Sequence, residues 1–281
     1  HKLGVRGLKP LIGLADEGSH AAQAHAAAAV ALIIQSDPEY VSKVCKHGGI
    51  GLLTRVLRAG TGSVQEQAAA ALASIASVTE QVEPVVRSGA VPLLVSLLHS
   101  TNSRAAARAA DAIGNLAATP EGQQSAYKAG AIKFLLRLLD SGSLGAQECA
   151  ARALAALAQE HLAIQTEICK LGGIKILVAT LSAINTEVQT QAACVLSQLC
   201  ISMSTKHRKR TQDAITKAGG VGPLLAVIDM PRARQPLVAQ ATHTLAMLAR
   251  GNSANQEVIA LHHGLKPLVE QLLPSRPDGE S

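Results

Sequence analysis

Apolar positions along the chain fall into two alternating kinds of run. One is strongly aliphatic: GGIGLLTRVLRA (Gly48–Ala59), GAVPLLVSLLHS (Gly89–Ser100), GAIKFLLRLLDS (Gly130–Ser141) and GGIKILVATLSA (Gly172–Ala183). In the third copy Ile132, Leu135, Leu136, Leu138 and Leu139 recur at helical spacing, which predicts a helix with a buried face. The other kind is alanine-rich. AQECAARALAALAQ follows the Ser/Gly run at Ser141–Gly145, and its small side chains and high helix propensity predict a longer helix lying close against its neighbours. A short polar segment precedes each aliphatic run. Thr119-Pro120-Glu121 opens one such segment: Thr caps, Pro suits the first helical position, and Glu favours the positive end of the helix. Gly130 closes it, because glycine takes the left-handed conformation that ends a helix; Asp37-Pro38-Glu39 with Gly48 repeats the punctuation.

This set of three predicted helices recurs. The second residue of each aliphatic run gives the markers Gly49, Ala90, Ala131, Gly173 and Gly220, with weaker copies at Gly7 (GLKPLIGL) and Gly264 (GLKPLVEQL). The successive intervals are 42, 41, 41, 42, 47 and 44 residues. A period near 42 along the whole chain means stacked units, none of which can bury its own apolar surface alone. Complete repeats are expected at 36–77, 78–118, 119–159, 160–202 and 203–251, with partial repeats at 1–35 and 252–273. Together they form one domain, 1–273, followed by a linker or tail, 274–281.

A short helix, then G-[AG]-[IV]-x-x-L-[LV]-x-L-L, then an Ala-rich helix ending A-L-x-x-[IL]-A resembles the armadillo repeat family. The endings here are ALASIA (Ala71–Ala76), AIGNLA (Ala112–Ala117), ALAALA (Ala153–Ala158), VLSQLC (Val195–Cys200) and TLAMLA (Thr244–Ala249), so the likeness covers essentially the whole chain. HEAT repeats have two helices per unit and lack the glycine pair. The resemblance implies an all-α fold, a right-handed superhelix (α-solenoid) of three-helix repeats whose third helices line a concave groove for partner proteins. The best-known peptide binders of the family carry an Asn near the end of the third helix. That column here reads Leu32, Ser74, Asn115, Ala156, Gln198 and Met247. One turn earlier, where nuclear-import adaptors have Trp, stand Ala28, Ala70, Asp111, Arg152, Cys194 and His243. A ladder gripping an extended basic peptide is therefore not expected. The groove residues expected to meet a partner are Glu66, Arg104, Arg108, Asp111, Asn115, Glu148, Arg152, Gln191 and Gln198. Asp111 is within reach of Arg108 on its own helix or of Arg152 one repeat on.

Composition narrows the chemistry. With one Phe (Phe134), two Tyr (Tyr40, Tyr127) and no Trp in 281 residues, the core must be Leu, Ile, Val and Ala. No apolar run approaches the ~18 residues a membrane span needs. The opening HKLGVRGLKP has neither a starting Met nor a signal segment, so the chain is expected to begin inside a longer protein. The five cysteines (Cys45, Cys149, Cys169, Cys194, Cys200) lack metal-ligand spacing and read as reduced thiols of a cytoplasmic protein. The glycine pairs are helix stops, since no phosphate-loop pattern accompanies them. His262-His263 reads as exposed polar residues at a helix end. No catalytic constellation, metal or cofactor site is expected, and the chain reads as a non-enzymatic interaction scaffold or adaptor.

The formal charge of +6 is unevenly spread. Lys206-His207-Arg208-Lys209-Arg210 lies where the repeat interval swells to 47, so it is expected in a loop or a lengthened first helix. Lys206, Arg208, Lys209 and Arg210 form a basic patch for an acidic partner, a phosphate or the headgroups of a membrane surface, or else a solvated run. Nucleic acid is not the expected partner, because aromatic stacking platforms are nearly absent. Lys46, Arg87, Lys128, Lys170 and Lys217 occupy the last turn of successive first helices, where cations complement the helix dipole. Two further functions fit such a chain: the substrate-recruiting region of a larger ubiquitin ligase, and a membrane-surface, cytoskeletal or ciliary anchoring module.

Overall fold

The structure is a computed structural model and describes residues 10–13, 19–37, 39–60, 62–201, 204–230 and 234–264. Most of the copy at Gly264, the tail at 274–281 and parts of the copy at Gly7 lie outside the described residues. Among those described the regular structure is helical throughout, with no strand. By packing, the chain divides into two units, His1–Leu157 and Ala158–Ser281.

The first unit opens with α1 (His20–Ser36), a long alanine-rich helix. Three helices follow in each period: α2 (Tyr40–Lys46), α3 (Gly49–Ala59) and α4 (Ser63–Ala76), then α5 (Val82–Arg87), α6 (Ala90–Leu97) and α7 (Ser103–Leu116). A 3₁₀ turn, Thr79–Gln81, precedes α5, because Pro84 cannot donate within the helix and the element starts late. The last set is α8 (Pro120–Lys128), α9 (Ala131–Ser141) and α10 (Leu144–Ala158). The third helices α1, α4 and α7 stack on one another, and the alanines make this possible: Ala68, Ala69, Ala71, Ala105, Ala109, Ala110 and Ala112 are all buried. Between α7 and α10 the approach is also close. A Cβ on Gly114 would sit 3.3 Å from the Ala153 Cα, so mid-helix glycine sets that spacing. Aliphatic side chains of the second helices fill the layer beneath, among them Leu52, Leu53, Leu94, Leu135 and Leu139.

The second unit repeats the scheme with α11 (Leu162–Lys170), α12 (Gly173–Thr180), α13 (Thr186–Leu199), α14 (Thr205–Lys217), α15 (Val221–Ile228), α16 (Gln235–Ala249) and α17 (Ser253–Leu261). The third helices α13 and α16 stack here. The Lys206–Arg210 run takes the lengthened-helix form: α14 has 13 residues where α8, α11 and α17 have 9.

Helix ends follow the local chemistry. Thr119, Asn102, Asn185, Ser204 and Asn252 each cap a helix by accepting a backbone N–H, and Pro120 stands in the first turn of α8. Gly48, Gly89, Gly130, Gly172 and Gly219, one before each second helix, have φ between 76° and 88°, a conformation that costs other residues dearly. At the next such position the chain has His263, which adopts φ 57° without glycine's freedom; it and His262 are exposed. Glutamines close the remaining gaps. Gln65, Gln147 and Gln189, in the first turns of third helices, donate to Leu57, Leu139 and Leu181 carbonyls eight residues back, at 2.9–3.1 Å. These carbonyls belong to the ends of second helices, which lack intrahelical partners. Gln212, 1% exposed, donates to the carbonyls of Met247 and Arg250 and accepts from Asn252.

Candidate functional site

Seven of the nine expected groove residues lie in the first unit, on its third helices. Glu66 is on α4, Arg104, Arg108, Asp111 and Asn115 on α7, and Glu148 and Arg152 on α10. The inward neighbours Ala109, Ile113, Leu116 and Leu154 are fully buried, so the polar residues occupy the opposite, outer arc of each helix.

Charges on this face are tied from one repeat to the next. The Arg152 guanidinium donates to Asp111 Oδ1 at 2.8 Å, and its other nitrogen lies 4.0 Å from Glu148 Oε1. Arg104 Nε stands 3.4 Å from Glu66 Oε2, which also accepts from Asn102 Nδ2. In both pairs that link repeats the carboxylate is the less exposed partner: Glu66 is 18% exposed against 80% for Arg104, and Asp111 24% against 45% for Arg152. The carboxylates are therefore recessed and the arginines project. Arg108 is exposed and forms no ion pair with any described residue. Of the two arginines within reach of Asp111, packing selects Arg152.

Asn115 sits at the column that grips peptide backbones in some relatives, yet it is half-buried and donates to the Ala73 carbonyl of α4 at 2.9 Å. That carbonyl is one of the last four of its helix. One amide hydrogen is thus committed to holding α7 against α4, leaving the other and Oδ1.

Cys149 stands beside this face, and its thiol is pushed up from its ordinary value by burial first and by the Asp111 carboxylate second, against the lowering effect of Arg152. Burial likewise raises Cys45 to about 11 and Cys200 to about 12. None of these is poised as a thiolate nucleophile.

Gln191 and Gln198 belong to the second unit, on α13. Gln191 donates to Glu187 within its helix at 2.7 Å. Gln198 contacts Cys194 Sγ, and its buried Oε1 finds no partner. It lines a cleft of about 540 Å³ with Glu160, Gln165, Cys194 and the exposed apolar Leu162 and Ile201. Reasoning from sequence missed these two apolar residues; their signal is a large aliphatic side chain at the first residue of α11 and just past the end of α13.

Lys206, Lys209 and Arg210 are exposed and Arg208 half-buried in the first half of α14. The last-turn cations Lys46, Arg87, Lys128, Lys170 and Lys217 are all exposed, with Arg87 paired to Glu83 and Lys170 near Glu167. Among the described residues no group of three His, Cys, Asp or Glu converges as a metal site, and no helix is long and apolar enough to cross a membrane.

Comparison with known proteins agrees with this architecture. The model of the armadillo/β-catenin-like repeat matches residues 79–118 and 165–201, two of the expected repeats. The crystal structure of an engineered protein is 30% identical, covering 88% of this chain and 98% of its own, with a TM-score of 0.78. The chain belongs to the armadillo repeat family. A second engineered protein is 31% identical over 96% of this armadillo chain and 64% of its own, with a TM-score of 0.87. A designed armadillo repeat protein in complex with the peptide (KR)4 shares the fold at 23% identity and a TM-score of 0.74, covering 86% of this chain and 99% of its own. No curated protein matches the chain. As an armadillo protein it is an all-α solenoid of repeats, a fold that supports a protein-binding scaffold.

Proposed function

We propose that this armadillo chain is a non-enzymatic, cytoplasmic adaptor that binds a partner protein across the third-helix face of its first unit, centred on Arg108 and Arg152. The observation that carries the reading is the arrangement of that face. Arg104 and Arg108 on α7 and Arg152 on α10 project, while Glu66 and Asp111, which Arg104 and Arg152 meet, are less exposed. Such a surface offers guanidinium forks to carboxylate side chains of a partner, and arginine is well suited to that geometry. A peptide backbone finds less here, because five of the six ladder positions lack Asn and Asn115 is already hydrogen-bonded to Ala73. The designed relative solved with (KR)4 supports peptide binding as a use of the fold. A cationic peptide would face these projecting arginines, so the partner segment should be acidic or mixed in charge. The five free thiols fit a reducing compartment.

The test is selection from a random peptide-display library on the intact chain, followed by affinity measurement on the wild type and the Arg108→Glu/Arg152→Glu variant. Enriched peptides should carry Asp or Glu and should lose about 2 kcal/mol or more of binding to the variant, the loss expected when central contacts are reversed. Far-UV circular dichroism should show the variant still folded, since exposed substitutions move stability little. Enrichment of Lys/Arg peptides, or unchanged affinity in the variant, would place recognition elsewhere.

A further inference from the structure

The first half of α14 sets a dense run of cations against the dipole of its own helix. Its cap is Ser204, whose Oγ accepts from the His207 N–H, and the next residues include Lys206, Arg208, Lys209 and Arg210. Cations at a helix N-terminus oppose the macrodipole. Two other first helices follow the dipole: α8 has Glu121 in its first turn and Lys128 in its last, and α5 has Glu83 and Arg87 in the same order. The first turn of α14 holds no acidic residue.

Packing does not require these residues. The buried face of α14 comes from Thr211, Gln212 and Ile215, all in its second half. None of residues 205–210 is buried, and first helices of 9 residues serve the same layer in other repeats. The four extra residues lengthen the helix by about 6 Å.

Nor are the charges neutralised. No ion pair among the described residues involves Lys206, Arg208, Lys209 or Arg210. Asp213, the one carboxylate on the helix, accepts from Asn252 Nδ2 at 2.8 Å and is held toward that neighbour. Arg208 reaches toward Gly251, next to the exposed Arg250, its Nη2 lying 3.9 Å from where a glycine Cβ would stand. A local conflict with no structural compensation is where function is to be sought.

We infer that the first half of α14, with Lys206, Lys209 and Arg210 on its exposed side and Arg208 beside them, is a docking site for an acidic segment of a partner protein. Charge complementarity sets the sign: cations that form no ion pair among the described residues favour an anion. The aromatic inventory sets the class. Phe134, Tyr40 and Tyr127 all lie before residue 158, so the second unit has no Phe, Tyr or Trp to serve as a stacking platform for a nucleobase or as an anchor at a membrane interface. Carboxylates of a peptide need neither.

The experiment uses the intact chain carrying Arg108→Glu/Arg152→Glu, so that the third-helix face of the first unit does not take up the probe, and a fluorescein-labelled dodecapeptide of alternating Glu and Gly, with its Gln-for-Glu counterpart as control. Anisotropy at low salt should show binding of the Glu peptide alone, lost at 0.5 M salt. The Lys206→Gln/Lys209→Gln/Arg210→Gln variant should bind at least ~10-fold more weakly. A variant of equal charge loss outside α14, Lys46→Gln/Arg87→Gln/Lys128→Gln, should stay within about 3-fold of the parent chain, because a site contact loses more than a diffuse change of net charge does. Equal losses in both would reduce the effect to net charge and overturn the site. Tighter binding of phosphatidylserine vesicles or duplex RNA, abolished by the α14 variant, would overturn the assignment to an acidic peptide. Thermal unfolding separates function from structure: the α14 variant should melt at the same temperature or a few degrees higher, since unfavourable cations have gone. A drop of several degrees would show that these residues hold the fold together.

Discussion

Replacing Gly122 by alanine sets local preference against packing. Gly122 lies in the first turn of α8, an α-helical position where alanine is favoured over glycine by about 1 kcal/mol. Propensity alone therefore makes the substitution stabilising. The structure reverses the sign. A Cβ at this position would sit 1.8 Å from the Leu116 carbonyl oxygen and 2.6 Å from its carbon, at the end of α7. Carbon tolerates a carbonyl oxygen at roughly 3.3 Å, so the start of α8 would have to retreat by about 1.5 Å. The obstacle is backbone and cannot rotate aside. Overpacking of this kind costs about 1–3 kcal/mol, and the retreat endangers the cap in which Thr119 Oγ1 accepts from the Gly122 N–H at 3.1 Å, worth about 1 kcal/mol. After subtracting the gain in propensity, Gly122→Ala should lose about 1–3 kcal/mol. Gly51→Ala is the control. Gly51 also lies in a first turn, that of α3, but its Cβ would meet only the flexible end of Arg55, at 3.7 Å. It should gain up to about 1 kcal/mol. Urea unfolding followed by circular dichroism at equal m-value measures both. Finding Gly122→Ala at least as stable as wild type would refute the reasoning, because the close approach of α8 to α7 would then be unreal or readily relieved.

Two further outcomes follow from the same geometry. A double-mutant cycle on Asp111→Asn and Arg152→Gln should give a coupling of about 0.5–1 kcal/mol that shrinks with salt, since the side chains are 24% and 45% exposed; no coupling at low salt would dissolve the proposed electrostatic link between repeats. Cys200 is buried with its pKa raised from 9.0 to about 12, so above pH 9 the unfolded state loses a proton that the folded state keeps, and stability falls as pH rises toward 12. Comparing urea midpoints at pH 7.5 and 10.5, wild type should lose on the order of 2 kcal/mol more than Cys200→Ala; equal losses would mean the thiol ionises freely in the native state.

The sequence by itself determined what is local or periodic. Leu135 and Leu139 had to face inward because aliphatic residues at three- and four-residue spacing leave no other arc of a helix for them. Gly130 had to end a helix because a left-handed residue was needed before the next one. The 42-residue period then required one unit to pack on the next. Even the lengthening near Lys206 was legible, as an interval of 47 where its neighbours have 41 or 42. Other features were decided only when successive layers met. Asp111 had two arginines within reach, and the distance between α7 and α10 chose Arg152 over Arg108. Asn115 looked free to meet a partner, and the approach of α7 to α4 spent one of its hydrogens on Ala73, 42 residues away. Gly122 stands in the first turn of α8 against its helix propensity, and the nearness of the Leu116 carbonyl explains it. Each of these outcomes turns on an ångström or two of separation and a few degrees of tilt between helices. Period and composition fix which helices become neighbours; the volumes of the buried alanines and glycines fix how close they come, and with it which polar groups remain free to bind.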